Sequence, residues 1–162
     1  MVEGDVEMTM AAKKKKPNDV AEIRALLKAN TAALKTKDAK AAIALSGAGY
    51  TGYNLAPPLK AGGGGGGIAA AIAGLNGWFS TWDGPVNSEI VKPKIFVGGD
   101  IAYAHGLAHM TGKRTDGEKT DLWFRATVGF KKGKRGWRIV HEHQSVPYYM
   151  DGSFRAAIDL KP

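Results

Sequence analysis

The spacing of apolar residues changes along the chain from a helical period to a period of two. Between residues 19 and 34 apolar side chains recur at helical spacing, and Asp19 with Glu22 matches a helix-capping box. This pattern predicts a long amphipathic helix, and a second, short helix is expected to begin at Asp38. A third helix is predicted from a further set of apolar residues at helical spacing: Ile68, Ile72, Leu75, Phe79 and Trp82.

Alternation of apolar and polar residues predicts strands in the rest of the chain. A short strand is expected at 50–55, before Pro57, and a short helix is expected near 153–158. The strands after residue 86 are predicted at 87–97, 101–111, 119–130 and 137–146. Consecutive strands joined by short turns form an antiparallel meander, and helices followed by such a sheet are the α+β layout. In that layout the helices cover one face of the sheet.

Length, hydrophobicity and the absence of Cys narrow the class of protein. The 162 residues suit one domain, so we expect a disordered basic tail at 1–17 and a single α+β domain at 18–162. No apolar run is long enough to span a bilayer, and we expect a cytoplasmic protein without a membrane partner. The chain contains no Cys, so a thiolate nucleophile, a thiolate ligand and a disulfide framework are all excluded.

The net charge of +8 is concentrated in two short runs, at 13–16 and at 131–135. Neither run lies in a helix-turn-helix, zinc or stacking-aromatic motif, so no nucleic-acid partner is expected. The glycines at 62–67 lack the Lys-Ser/Thr that completes a phosphate-binding loop, and a mobile linker is the preferred interpretation.

Motifs in the second half of the chain resemble a known superfamily. The sequences Ile-Ala-Tyr-Ala-His at 101–105 and Trp-Arg-Ile-Val-His-Glu-His at 137–143, followed by Ser-Val-Pro, resemble the SnoaL-like group of the nuclear transport factor two superfamily. This superfamily includes ketosteroid isomerase. The motifs are most similar to the branch that contains the association domain of calcium/calmodulin-dependent protein kinase. The resemblance implies a cone-shaped fold in which a curved antiparallel meander wraps around N-terminal helices and encloses a ligand cavity. The catalytic Asp and the Tyr/Asp oxyanion pair of ketosteroid isomerase find no matching residues here, so its activity is not carried over.

Histidines are the first candidates for chemistry. His105 and His143 are candidate catalytic residues, because an imidazole titrates near neutral pH and suits proton transfer. His141 shares a strand face with His143 and is a candidate ligand-binding residue. Nothing in the sequence places the four His at one depth, so no metal and no cofactor are expected.

Aromatic and polar side chains are the candidate lining of the cavity. Tyr53 and Asn54 are expected to donate hydrogen bonds to a carbonyl oxygen. Trp123 and Arg125 share a strand face; on a concave face they would bind an anion, and on a convex face they would lie beside a subunit contact. The residues expected to ring the apolar part of the cavity are Tyr50, Tyr53, Asn54, Trp78, Trp82 and Tyr103.

Several functions fit this pattern. The first is a small-molecule enzyme with a partly apolar cavity, an isomerase, cyclase or dehydratase that acts on a carbonyl compound. The alternatives are a non-catalytic module that binds a carboxylate ligand and a module for homo-oligomerisation, with a homodimer formed through the outer sheet face. No carboxylate is evidently buried, because Asp100 and Asp116 fall in predicted turns and strand parity does not decide which way Asp121 faces. Glu142, the carboxylate nearest the histidines, is expected on the strand face opposite His141 and His143, which argues against a metal site.

Overall fold

The helices lie in the first half of the chain. A computed structural model describes residues 17–62 and 66–162, and it contains α1 Pro17–Lys35, α2 Ala39–Ala44 and α3 Gly67–Phe79. Asp38 caps α2, since its carboxylate accepts a hydrogen bond from the Ala41 N–H at 2.9 Å. The predicted tail falls on residues outside these ranges except for residue 17, and the central glycines of the predicted linker also lie outside them. None of the described helices is long and apolar enough to cross a membrane.

The second half of the chain forms most of one curved sheet. Its strands run in the order β2-β1-β7-β6-β5-β3, with β4 paired to β5 beside β3. Neighbouring strands are antiparallel except β1 and β7, which are parallel. The α+β class is therefore confirmed. The strands are β1 Ser46–Tyr53, β2 Ala61–Gly62, β3 Trp82–Ile90, β4 Lys94–Gly98, β5 Ile101–Arg114, β6 Lys119–Gly133 and β7 Gly136–Ser145.

Four predicted elements differ from the structure. The short strand expected at 50–55 begins earlier, at Ser46, because Ser46 already pairs with Ile139 of β7, and it ends at Tyr53. The strand expected at 87–97 is two strands, because Lys92 has φ 49° and Pro93 has no N–H to donate to a ladder. Trp82 begins β3 rather than ending α3, since the Ser80 and Thr81 hydroxyls bond to carbonyls of the last helical turn, each at 2.7 Å. No helix forms at 153–158, where Phe154 has φ 52°.

One face of the sheet packs against α1 and carries the hydrophobic core. We call this the inner face; it includes Ala104 on β5 and Val128 and Phe130 on β6, which are almost completely buried. Ile23 of α1 packs into the same cluster as Phe130. The opposite side of the sheet is the outer face. Since side chains alternate along a strand, the even-numbered residues of β5 and β6 lie on the inner face and the odd-numbered residues on the outer face.

The start of α1 is tied to the hairpin formed by β6 and β7. The buried Asp19 carboxylate accepts hydrogen bonds from the Lys132 ammonium group and from Trp137 Nε1, the latter at 3.1 Å. The Asp19 contact with Lys132 is also a salt bridge. These contacts hold α1 over one end of the inner face.

Candidate functional site

A bulge in β7 determines which polar side chains reach the inner face. Phe130 of β6 pairs with Ile139, but the preceding residue, Gly129, pairs with His141, so Val140 is an extra residue in β7. Before the bulge, Ile139 lies on the inner face. After the bulge, Glu142 lies on the inner face, where it pairs with the buried Val128. The side chains of cross-strand partners share a face, so Glu142 points into the fold.

Glu142 forms a hydrogen-bonded pair with Tyr50 of β1. The Tyr50 hydroxyl donates to Glu142 Oε2 at 2.9 Å. Burial of the carboxyl group raises the pKa of Glu142 above its ordinary value, and the Tyr50 hydrogen bond and the nearby His141 act in the opposite direction. Burial and the neighbouring Glu142 also raise the pKa of Tyr50, so this hydroxyl keeps its proton and remains a donor. The pair therefore combines a carboxyl group of increased basicity with a neutral hydrogen-bond donor.

Gly52 provides the space in which this pair meets a third polar group. Gly52 is the register partner of Glu142 on β1. A Cβ at this position would lie 2.8 Å from the Tyr50 hydroxyl oxygen and 3.3 Å from Asn54 Oδ1. The amide of Asn54 and the hydroxyl of Tyr50 therefore approach the same space, which a larger residue at position 52 would occupy. Three polar side chains from two strands converge here.

Apolar side chains adjoin this polar group. Gln144, the next inner residue of β7, pairs with Ala126, which belongs to a small buried cluster with Ala108 and Phe124. Glu142 thus lies between this cluster and the main core, to which Val128 belongs. The partly buried side chains packed against the small cluster are Leu55, Ile90, Met110, Leu122 and Val146. The site has a polar centre and an apolar side.

Most of the predicted site residues lie on the outer face. His105 of β5 and His143 of β7 both pair with Thr127 of β6, so one row across the outer face contains both imidazoles. Tyr53 pairs with His143 and extends this row. The structure brings the two candidate catalytic histidines to neighbouring positions, but not to the side of the sheet that faces the helices.

The other outer-face candidates make local contacts. Tyr53 packs edge-on against His141 and His143, with ring centroids 5.3 and 5.7 Å apart, and His141 Nδ1 lies 2.9 Å from the Thr51 carbonyl oxygen. Tyr103 stacks on Phe96 at 5.0 Å.

Trp123 and Arg125 lie on the outer face of β6. Trp123 stacks on His109 at 4.2 Å, and His109 Nε2 contacts Asp121 at 2.6 Å. Arg125 pairs with Leu107 and Ser145, which also lie on the outer face. Strand parity left the concave and convex alternatives open, and the structure places both side chains on the outer face because β6 presents its odd-numbered residues outward.

Two predicted residues are placed elsewhere. Asn54 and the Tyr50 hydroxyl lie near the same position beside Gly52. Trp78, near the end of α3, is half-buried and packs edge-on against Trp82 at 5.6 Å between ring centroids. Over residues 17–62 and 66–162, the structure shows no group of three His, Asp or Glu residues that would hold a metal ion.

Glu142 is the functional candidate that the sequence analysis missed. Strand alternation puts Trp137 and Ile139, both core residues, on the same face as His141 and His143. The odd-numbered positions of this strand therefore combine buried apolar residues with polar ones. A regular strand would not mix the two on one face, so the mixture indicates a bulge. Read with the bulge, the same sequence places Glu142 inside.

Comparison with known proteins identifies the family. The SnoaL-like domain family matches residues 23–149, which is most of the chain. The chain belongs to the SnoaL-like domain family. The curated proteins contain no match to this SnoaL-like protein.

Solved structures share its fold. A nuclear transport factor two-like protein from Pseudomonas putida KT2440 is 28% identical with a TM-score of 0.74, over 88% of this chain and 95% of that one. A Xanthomonas campestris protein named for the calcium/calmodulin-dependent protein kinase II association domain is 19% identical with a TM-score of 0.65, over 85% and 96%. A ketosteroid isomerase-like protein from Erwinia carotovora atroseptica is also 19% identical with a TM-score of 0.65, over 80% and 97%. These likenesses confirm the nuclear transport factor two-like fold expected from the sequence.

Proposed function

We propose that this SnoaL-like protein binds a small neutral carbonyl compound against the inner face and moves a proton on it with Glu142. The observation that carries the proposal is the partly buried Glu142 carboxyl group, which is hydrogen-bonded to the Tyr50 hydroxyl beside an apolar cluster. A buried carboxyl group with a raised pKa is a stronger base than an exposed one, and it suits general acid–base catalysis near neutral pH. The reaction class is isomerisation, cyclisation or dehydration.

The chemistry follows from the positions of the polar groups. The Glu142 carboxylate accepts a proton from the carbon next to the carbonyl, and the electrons of the broken C–H bond form the C=C bond of an enolate. The Tyr50 hydroxyl donates a hydrogen bond to the oxygen that gains negative charge. The exposed Asn54 side chain donates a second one when its NH₂ group, rather than Oδ1, faces this oxygen. Protonated Glu142 then returns the proton to another carbon in an isomerisation, to the new alkoxide oxygen in a cyclisation, or to the leaving hydroxyl, which departs as water, in a dehydration. None of these steps needs an oxidant or a cofactor. Binding a carbonyl oxygen requires the Tyr50 hydroxyl to turn from Glu142 to the ligand.

Charge favours a neutral ligand over the carboxylate that the sequence analysis also considered. The expected anion anchors, His105 and Arg125, both lie on the outer face. An ionised ligand beside Glu142 would add a second negative charge in a desolvated place, which is costly. The name of the Erwinia relative, ketosteroid isomerase-like, agrees with a neutral carbonyl substrate.

Exchange of carbon-bound hydrogen tests the proposal without knowledge of the natural substrate. Cyclic ketones and enones are incubated with the protein in D₂O, and the loss of the α-proton signal is followed by NMR. We expect Glu142→Gln to slow exchange by about 10²–10⁴-fold, because a general base typically contributes that factor. The matched comparison is His143→Ala, on the outer face, which is expected to retain exchange.

Two results would contradict this assignment. Unchanged exchange in Glu142→Gln would remove Glu142 from the chemistry, and loss of exchange in His143→Ala would restore the histidine hypothesis. A thermal-shift comparison of cyclohexanone with cyclohexanecarboxylate tests ligand charge separately, since a bound ligand raises the unfolding temperature. Stabilisation by the carboxylate alone would overturn the preference for a neutral ligand.

We also propose a homodimer through the outer face. Four large apolar side chains there keep 43–53% of their surface exposed: Phe96, Ile101, Tyr103 and Leu107. Such a contiguous exposed patch is typical of an interaction surface. We expect light scattering to give twice the mass of one chain for the wild type and the mass of one chain for Tyr103→Glu. A monomeric wild type would refute the dimer.

A further inference from the structure

A second chemically distinct region lies at the tip of the β6–β7 hairpin. This turn is short: Gly133 pairs with Gly136, and Lys134 and Arg135 connect the two strands. Both of these side chains are exposed. The strands that lead into the turn add Lys131 and Arg138, which are register partners. Together with Lys132, these four side chains place five positive charges within eight residues of one hairpin.

The arrangement of these charges is unfavourable without a counter-ion. Lys131 and Arg138 are directly opposite each other on the outer face, and like charges in that relation destabilise a sheet. The ion pairs that the structure shows among its described residues involve none of these four cations. Lys132, the other cation of the hairpin, is already bound to Asp19. The four remaining cations are available to an anion.

A cleft lies between this hairpin and the start of β1. Its volume is about 260 Å³, and its charged lining residues are Lys134, Arg135 and Arg138. Within residues 17–62 and 66–162, no Asp or Glu lines it. Ser46 adds a hydroxyl group from β1. A cleft of this size is below the range of about 300–1,000 Å³ that holds a drug-sized ligand, so it suits a compact anionic group.

Arg138 is held in place before any ligand binds. Its Nη1 donates a hydrogen bond to the Trp137 carbonyl oxygen at 2.8 Å, which restricts the guanidinium. Gly47 lies against it, because a Cβ at position 47 would be only 3.0 Å from Arg138 Cβ. A guanidinium group has five N–H donors in one plane, so donors remain for the two oxygens of a phosphate.

We propose that this hairpin cleft, lined by Lys134, Arg135 and Arg138 together with Ser46, binds a phosphate-bearing anion. Planar guanidinium groups match phosphate geometry, and the ammonium group of Lys134 adds charge without a fixed direction. The site is on a different part of the sheet from Glu142 and does not depend on the proposed acid–base function. The phosphate belongs to a soluble compound or to a lipid headgroup, and both sources present the same chemistry to the cleft.

Titration of the full chain with inorganic pyrophosphate at low ionic strength tests the site. We expect saturable binding that weakens as salt is added, since ionic contacts are screened. The hairpin variant Lys134→Gln/Arg135→Gln should weaken binding about tenfold or more, because it removes two charge-assisted contacts. The tail variant Lys13→Gln/Lys14→Gln removes the same number of charges and should bind as the wild type does. Arg138→Lys keeps the charge but loses the planar donors, and it should also weaken binding.

A second experiment distinguishes a soluble phosphate compound from a lipid headgroup. Sedimentation with phosphatidylcholine vesicles that contain phosphatidic acid is compared with the pyrophosphate titration. Binding of both probes, or of pyrophosphate alone, supports a soluble anion, whereas hairpin-dependent binding to vesicles alone supports a lipid headgroup. Failure of the wild type to bind either probe would overturn the proposal. Equal weakening in the hairpin and tail variants would also overturn it, since binding would then follow total charge rather than the cleft.

Discussion

Replacement of Glu142 by Gln is expected to change how stability depends on pH. Gln keeps the size of the side chain and can still accept the Tyr50 hydrogen bond, but it cannot ionise. In the wild type, burial raises the pKa of Glu142 above the ordinary value of 4.5. The folded protein therefore binds a proton more tightly at this position than the unfolded chain does. The contribution of Glu142 to stability is complete below pH 4.5 and is lost as the pH rises through the folded pKa.

The magnitude follows from proton linkage. Between the unfolded and folded pKa values of Glu142, the free energy of unfolding falls by about 1.4 kcal/mol for each pH unit. For a domain of this length, that amounts to about 3–6 °C in unfolding temperature per pH unit. Gln cannot ionise, so the Glu142→Gln variant does not lose stability in this way. The difference in unfolding temperature, variant minus wild type, is therefore expected to increase with pH.

Calorimetric unfolding of both proteins over a series from acid to mildly alkaline pH measures this difference. Glu118→Gln is the matched control, because it removes the same charge at an exposed position in the turn before β6. We expect the difference between Glu118→Gln and wild type to vary little with pH. A constant difference between Glu142→Gln and wild type across the series would refute the raised pKa and, with it, the burial of the carboxyl group.

Three further substitutions test other parts of the structure. Tyr50→Phe removes a hydrogen bond that lowers the pKa of Glu142, so the pH range of the stability loss should move upward in the same calorimetric series; a downward shift would contradict the contact. Asp19→Ala removes the carboxylate partner of Lys132 and should cost about 2–4 kcal/mol in urea unfolding, with less loss in Asp19→Asn; an unchanged midpoint would show that α1 does not depend on this anchor. Phe130→Ala, in the fully buried core, should cost about 3–5 kcal/mol in the same assay, and a loss below about 1 kcal/mol would place Phe130 outside the core.

Local patterns were sufficient for most of the elements. The apolar spacing after residue 19 predicted α1, and alternation predicted β5, β6 and β7 to within a few residues. The helix begins at Pro17, so Asp19 lies in its first turn rather than at the predicted cap position, and its carboxylate binds Lys132 and Trp137. The failures came where backbone conformation overrode side-chain pattern. Lys92 and Phe154 adopt positive φ values, and these values interrupt one predicted strand and one predicted helix. Pro93 is a local signal of the first interruption, because a proline cannot donate to a strand ladder.

The candidate site was harder to predict than the fold. Asn54 and Tyr50 were both expected around a cavity, and the structure brings them to the same position beside Gly52. Seven of the expected site residues lie on the outer face instead: Tyr53, Tyr103, Trp123, Arg125, His105, His141 and His143. Alternation shows which residues share a face, but a face becomes inner or outer only when a helix packs on it.

The sequence by itself determined the class of fold, the family and the residues that alternate together, because these depend on local periodicity and on motifs. Tertiary structure decided which face is covered, since α1 selects one side of the sheet through Ile23 and Asp19. It also decided the site, because the extra residue Val140 reverses the facing of β7 and turns Glu142 toward Tyr50. That reversal depends on the register between β6 and β7, a long-range relation that periodicity along one strand does not contain.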